Sequence, residues 1–454
     1  MDSNDYVQSL VLKSRIAQQE FEKFDQQQVN DIVKAIARYV YDNAVDLARM
    51  AVEETRMGVF EDKIKKNLGK SKVIWNSIKN KPSVGVIRRD AVTGIVEVAK
   101  PMGVVGAVTP CTNPIVTPMC NAMFALKCRN SIIIAPHPRA RKCAKAVVDG
   151  FNEALKPFHA PENLIQVIEE PSVEMTSQLM KAVDVIIATG GMGMVKSAYS
   201  SGKPALGVGA GNVQCIIDHG YDPGTAIPKI VEGRAFDNGI ICSGEQTIIV
   251  HEADYEAVKA ALKANSVLII QDAESKEKIR RAMFIDGVMN KNLVGQSAAK
   301  VAEVAGVALP ENIKVLAVEA DGIGEEDVLC QEKMCPVITL IKYQTFAEAI
   351  DIAITNLEVE GKGHSISIHS DNSDHLEYAA NRVPVSRILV NQICATMNGG
   401  SFFNGFAATT TLGCGSWGNN SISENLDYKH LMNITRIGYF NKDAKVPTDA
   451  EMWG

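Results

Sequence analysis

Val183-Asp184-Val185-Ile186-Ile187-Ala188-Thr189-Gly190-Gly191-Met192-Gly193 is the stretch on which the fold turns. Residues 183–188 form a short apolar run of strand character. The glycines mark a turn, and a helix is expected over 193–201. The same unit recurs on either side. Strands are expected at 104–108, 131–135, 164–168 and 213–217, with helices at 118–127, 140–154 and 172–182. Short apolar runs separated by amphipathic helices of ~10 residues mean parallel strands buried on both faces. That is a doubly wound sheet, whose ligands sit at the carboxyl ends of its strands.

A second α/β series is expected to begin near Cys242. It runs through 246–250, 255–264, 267–270, 276–283, 314–318, 337–342, 346–354, 365–369 and 386–390. Residues 395–425 are rich in Gly, Ser, Thr and Asn, and so long a loop in a compact protein is usually functional. The first 80 residues read as helices. Ile32, Ile36, Tyr39 and Val40 recur at helical spacing, and 51–78 is charged and amphipathic. The helix over 6–24 reads as domain structure, with a docking helix for a multi-enzyme body as the alternative. Strands at 84–89 and 94–99 form a hairpin without a core of its own. It either pairs with another subunit's sheet edge or is an excursion of its own domain.

The chain has 454 residues, enough for two or three domains. Its 46% hydrophobic and 22% charged residues, with a mean hydropathy of -0.01, lead us to expect a soluble globular protein. A net charge of -6 leaves no electrostatic footprint for nucleic acid. The ten cysteines show no paired CxxC spacing, which argues for reduced thiols in a cytoplasm and against a metal site. The opening Met1-Asp2-Ser3-Asn4-Asp5 lacks the character of a signal peptide, and no window of ~18 apolar residues suggests a membrane span.

The chemistry concentrates in Asp237-Asn238-Gly239-Ile240-Ile241-Cys242-Ser243-Gly244-Glu245. A lone cysteine bracketed by glycines, between a helix-like and a strand-like run, suits a nucleophile at the floor of a cleft. A buried structural thiol is the alternative. Three strand ends carry further candidates. Thr189-Gly190-Gly191-Met192-Gly193 could bring backbone N–H groups to a phosphate, or be a plain tight turn. Pro136-His137-Pro138-Arg139-Ala140-Arg141-Lys142 offers three cations for a phosphate, or a solvated helix start. Thr109-Pro110-Cys111-Thr112-Asn113-Pro114 presents the Asn113 amide, as an oxyanion donor or a turn residue.

In order and spacing, these segments resemble the aldehyde dehydrogenase family, and most closely its coenzyme-A-acylating branch. Gly207-Val208-Gly209-Ala210-Gly211-Asn212, Glu332-Lys333-Met334-Cys335-Pro336 and Gly363-His364 add to the likeness. Within the branch the chain is most similar to the acylating succinate semialdehyde dehydrogenases, which the tail from Thr411 to Leu426 supports. The resemblance implies an aldehyde dehydrogenase-like α/β fold of two doubly wound parallel-sheet domains plus an oligomerisation hairpin. The implied cofactor-binding domain is 1–83 with 101–236, the oligomerisation element 84–100 with 427–454, and the catalytic domain 237–426. It implies a homodimer or larger homo-oligomer.

The resemblance also implies roles. Cys242 falls on the nucleophile, Asn113 on the oxyanion amide and Glu332 on the nicotinamide-ribose ligand. Thr109, Pro110, His137, Pro138, Arg139, Gly190, Gly191 and Gly209 fall along the cofactor. His364 matches a histidine of the acylating branch, for coenzyme A handling or proton transfer, or as a structural histidine. Arg234 and Ser243 are candidates for the substrate's distal carboxylate. Where hydrolytic members carry a glutamate base, the aligned stretch reads Leu206-Gly207-Val208-Gly209. Leucine cannot activate water, so a thioester on Cys242 would await coenzyme A. The implied reaction interconverts succinate semialdehyde and succinyl-CoA. Acetaldehyde or propionaldehyde as substrate, and hydrolysis, remain alternatives. Ala140 stands where members choosing NAD often place a carboxylate. With Arg139, Arg141 and Lys142 beside it and no carboxylate to repel a 2′-phosphate, NADP is expected, with NAD as the alternative.

Overall fold

Four helices open the chain: α1 (Ser3–Phe21), α2 (Gln26–Asp42), α3 (Ala44–Thr55) and α4 (Phe60–Ile78). The computed structural model describes residues 2–454. Asp25 and Gln28 close a reciprocal capping box at the start of α2. That helix buries Val29, Ile32, Val33, Ile36 and Val40, the stripe its spacing predicts. Each such side chain contributes ~1.5–3 kcal/mol on leaving water. The hairpin is β1 (Gly85–Asp90) with β2 (Ile95–Pro101), antiparallel as expected.

Then comes the alternation. β3 (Val104–Thr109), α5 (Val116–Lys127), β4 (Ser131–Pro136), α6 (Arg141–Leu155), β5 (Ile165–Val167), α7 (Val173–Ala182), β6 (Val185–Thr189), α8 (Met192–Tyr199) and β7 (Ala205–Val208) follow in turn. The five strands form a parallel sheet in the order β5-β4-β3-β6-β7. Alternation along each strand divides the core. Val105, Ala107, Ile132 and Ile134 face α2, α5 and α6, whereas Val104, Val108, Ile133 and Ala135 face α1 and α7. α1 therefore covers one face of the sheet as ordinary domain structure, and Arg15 ties it to Asp184 at 2.9 Å.

One strand assignment needs correcting. Residues 213–217 do not close the first sheet. As β8 (Val213–Ile217) they lie inside a second parallel sheet, beside β9 (Glu245–His251). The first sheet ends instead on β7, whose four residues are too short and glycine-interrupted to stand out. α9 (Pro223–Ala235) packs Ala226, Ile227, Ile230 and Val231 on the second sheet. Residues 213–236, expected with the first sheet, thus belong with the second. The chain crosses at 209–212. There the buried Asn212 amide donates to the carbonyls of Cys330, Asn356 and Glu360 at 2.7–3.3 Å.

The second unit continues with α10 (Tyr255–Ala264), β10 (Val267–Ile270), α11 (Ala273–Met283), a ribbon of β11 (Phe284–Ile285) and β12 (Val288–Met289), and α12 (Ala298–Ala305). β13 (Val315–Glu319), β14 (Val337–Tyr343), α13 (Phe346–Val359), β15 (Gly363–His369), α14 (Ser373–Arg382) and β16 (Val385–Val390) complete it. Its seven strands run parallel in the order β10-β13-β14-β9-β8-β15-β16. The long loop after β16 reaches back to the first sheet, where Thr411 Oγ1 lies 3.0 Å from Thr189 Oγ1 at the end of β6. Finally β17 (Met432–Gly438) pairs antiparallel with β2, so the hairpin gains a third strand from its own chain.

Candidate active site

The cysteine segment follows α9 through three consecutive left-handed residues, Asp237, Asn238 and Gly239, with φ of 52°, 53° and 67°. The two non-glycine positions cost ~1–3 kcal/mol each unless their surroundings hold them. Two buried groups do so. Asp237 accepts from Val59 N at 2.8 Å and from Lys63 Nζ at 3.1 Å, and pairs with Lys66. Arg234, fully buried, donates to the carbonyls of Glu245 at 3.0 Å, Gly239 at 2.8 Å, Lys333 at 2.5 Å and Cys335 at 2.6 Å. A side chain at Gly239 would collide with this guanidinium. Arg234 thus clamps both ends of the cysteine segment onto residues 333–335. This goes against the expectation that it meets a substrate carboxylate: its two Nη groups donate to backbone carbonyls, and only the buried Nε has no partner. Ser243 is spent likewise, buried with its Oγ donating to Ala395 O at 3.0 Å.

Cys242 is half-buried and packs against Val208, Leu412 and Cys414. The apolar neighbour from β7 is therefore Val208, two residues on from the Leu206 that sequence alignment suggested. Leu206 packs into the core of the first sheet. The conclusion drawn from it stands in altered form, since β7 presents no carboxylate to the thiol. Burial pushes the Cys242 thiol up to about 12, Glu332 and Cys414 add to this, and Arg387 opposes it. The resting residue is a neutral thiol. One carboxyl group does act on it. Glu332 accepts from Gly211 N at 3.2 Å, and burial and the neighbouring Glu360 push it up to about 8.

Asn113 lies beyond the end of β3. Its Oδ1 accepts from Lys66 Nζ at 2.7 Å, and among the described residues no hydrogen bond holds its Nδ2. Sequence reading missed Lys63, Lys66 and Lys70. They lie on one face of α4, and the signal was there in their spacing of three, four and seven. Lys70 donates to Gly399 O at 2.9 Å and Thr409 O at 3.3 Å, and burial holds its ammonium down to about 8.

The candidate cofactor residues lie at the carboxyl ends of β3, β4 and β6, which are neighbours in the first sheet. Thr109 O accepts from His137 N at 3.0 Å, setting the Pro110 and Pro138 turns side by side. Gly191 caps α8, and neither Gly190 nor Gly191 has an atom within 4 Å of where a Cβ would stand, leaving a bare backbone cradle. Gly209 is also spare of side chain, close to Met192. The assumption that no carboxylate stands near Ala140 is corrected. Glu54, from α3, accepts from the Lys142 and Cys143 N–H groups at 2.8 and 2.7 Å, and Glu170 pairs with Arg141. Both come from distant sequence, which a local reading cannot see. Arg139 reaches only a backbone carbonyl, that of Thr55, at 3.2 Å.

His364 is fully buried at the start of β15. Its Nδ1 meets Ser365 Oγ at 3.0 Å, and its Nε2 has no partner. Burial and Arg387 hold its pKa well below 6.5, so it is neutral. Away from the cleft, His219, His251 and Asp254 cluster, but both ring nitrogens of His251 are engaged, with Gln344 O and Ala253 N.

A family model described as "Aldehyde dehydrogenase family" matches residues 2–431. The chain is 54% identical over 448 residues to the succinate-semialdehyde dehydrogenase (acetylating) of Clostridium kluyveri, covering 99% of each. It superposes with a TM-score of 0.94 on the crystal structure of an acetylating aldehyde dehydrogenase from Geobacillus thermoglucosidasius, 37% identical, with 98% of each chain covered. A propionaldehyde dehydrogenase from Rhodopseudomonas palustris, crystallised with bound CoA and an acylated cysteine, matches at TM-score 0.84 and 28% identity, over 95% of this chain and 97% of that one.

Proposed function

The chain belongs to the aldehyde dehydrogenase family, as a coenzyme-A-acylating member, and from that premise we propose that it interconverts succinate semialdehyde and succinyl-CoA. The observation that carries the acylating chemistry is the wall around Cys242. Val208, Leu412 and Cys414 line it, and the one carboxyl nearby, Glu332, is tied to a backbone N–H. No carboxylate from β7 stands beside a thioester there to direct water at it.

The steps follow from the side chains. The Cys242 sulfur adds to the aldehyde carbon as its proton passes to solvent, which the half-buried residue still reaches. The oxyanion takes hydrogen bonds from Asn113 Nδ2 and the Cys242 N–H, each such donor being worth ~2.7–4 kcal/mol in the transition state. The bound nicotinamide supplies the hydride acceptor. As hydride leaves, the adduct on Cys242 becomes a thioester, and the thiol of coenzyme A displaces the sulfur in a second half-reaction. We assign the unpartnered Nε2 of His364 to accept a hydrogen bond from that thiol. Its pKa suits an acceptor that never carries lasting charge.

The bare backbone at Gly190 and Gly191 fits a pyrophosphate at the start of α8, and Glu332 fits a ribose hydroxyl. We retain NADP over NAD. Both oxygens of Glu54 are tied to backbone donors and Glu170 pairs with Arg141, whereas Arg139 has no carboxylate partner. Comparing kcat/KM for the two cofactors tests this. We further propose a cytoplasmic homodimer or larger homo-oligomer. Exposed Ile437, Tyr439 and Phe440 at the end of β17 support association, and among the described residues no helix is long and apolar enough to cross a membrane.

The deciding experiment incubates the protein with succinyl-CoA and NADPH and identifies the carbonyl product. Succinate semialdehyde should form as nicotinamide absorbance falls, and Cys242→Ala should abolish both. Free acid made from succinate semialdehyde without coenzyme A would establish the hydrolytic alternative instead.

A further inference from the structure

α4 places a lysine ammonium on the carbonyl side of the Asn113 amide. We propose that Lys66 is a positioning residue for the oxyanion site, holding Asn113 so that its N–H group faces the reacting carbon. The inference rests on the reading of Asn113 given above.

An asparagine amide has one donor end and one acceptor end, and only the donor end can stabilise an oxyanion. Followed directly by Pro114, the backbone at Asn113 is restrained, but rotation about the side chain would still exchange the two ends. Lys66 Nζ, a pure donor, sits 2.7 Å from Oδ1 and permits one orientation only. A hydrogen bond to a cation also polarises the amide, strengthening its N–H as a donor.

Lys66 is in turn held. Its side chain is 9% exposed and pairs with the Asp237 carboxylate, which is fully buried. Asp237 also takes Lys63 Nζ and Val59 N, and its own N–H donates to Asp62 at 2.9 Å. The aspartate is the first of the left-handed residues leading into the Cys242 segment. One carboxylate thus joins the nucleophile's loop to the lysine that orients the oxyanion donor. Two lysines thus share one buried carboxylate, and burial together with Lys66 holds the Lys63 ammonium down to about 8.

The test compares Lys66→Met, Lys66→Arg, Asn113→Ala and the Lys66→Met/Asn113→Ala double variant. Steady-state kcat and KM, cofactor binding by fluorescence and thermal unfolding are measured for each. Lys63 still pairs with Asp237 in all of them, so the loop keeps its partner. Lys66→Met should lower kcat by ~10- to 100-fold with KM and cofactor affinity within ~2-fold, and Lys66→Arg should restore most of it. The double variant should be no slower than Asn113→Ala. Unchanged kcat in Lys66→Met, or a double variant slower by the full product of the two effects, overturns the proposal. Should Asn113→Ala itself keep full kcat, the oxyanion reading fails instead. If Lys66→Met does not fold, Lys66→Gln, which still donates to Oδ1, takes its place, and equal activity of Lys66→Gln and Lys66→Glu overturns the proposal.

Discussion

α1 and α4 are both 19-residue helices from the first 80 residues, and both are amphipathic. They bury opposite things. α1 turns Val7, Val11, Ala17 and Phe21 into the core of the first sheet. α4 buries Lys63, Asn67 and Ser71 before it reaches Ile74 and Ile78. A helix that buries carbon is stabilised by leaving water. A helix that buries ammonium groups loses hydration, and is tolerable only where each charge finds oxygen. The contrast separates scaffold from site: α1 holds the sheet in place, and α4 carries charge to Asn113, Asp237 and the rim of the cysteine pocket.

The largest effect is expected at the junction of α4 with the cysteine loop. Asp237→Asn leaves Lys63 and Lys66 buried without a carboxylate, costing ~3–5 kcal/mol. Denaturant unfolding should show that loss, and kcat should fall with it in protein that is still folded. A variant that loses stability alone would reduce α4 to scaffold and erase the contrast.

Phe21→Ala in α1 is the counterpart. It should cost a similar ~3–5 kcal/mol of stability, read as a lower denaturation midpoint, while kcat at low temperature stays as in the parent.

A smaller effect separates α4 from the other charge at the thiol. Glu332 is pushed up to about 8, so above that pH its carboxylate opposes ionisation of Cys242. Glu332→Gln should therefore lower the pH at which iodoacetamide alkylates Cys242. The same shift has a stability consequence. Between the ordinary glutamate range and about 8, the folded chain keeps a proton that the unfolded chain has lost, so stability falls as pH rises through that window. Glu332→Gln should flatten this slope.

The smallest effect is on the other side of α4. Lys65 has its side chain 69% exposed, and its partner Asp62 is held independently by the Asp237 N–H. Lys65→Ala should change stability by less than ~0.5 kcal/mol and leave kcat unaltered. A large loss there would mean that the face of the helix is immaterial.

The parts that were legible are those carried by local pattern. β3 and β4 show themselves because a parallel strand buried on both faces must be apolar at every position. Cys242 stands out as a turn-presented cysteine through its glycine brackets, whereas Glu332 is singled out only by the resemblance of the segment around it. β8 was read as a strand yet given to the wrong sheet, since an apolar run does not name its neighbours. Val208 and not Leu206 lies beside the thiol, because a sequence pattern does not set a strand's register. The charged, amphipathic pattern of 51–78 does not say which of its lysines are buried, and Glu54 is invisible at Ala140, nearly ninety residues away along the chain.

By itself the sequence determined which segments are strands and helices and which cysteine is presented by a turn, because periodicity and glycine act over a few residues. Tertiary structure alone decided that Arg234 meets backbone carbonyls, that Glu54 meets the first turn of α6, and that Lys66 of α4 meets the Asn113 side-chain oxygen. Those are pairings between charged groups and distant oxygens. Their strength depends on separation in space and on the exclusion of water, and neither is written in the order of residues along the chain.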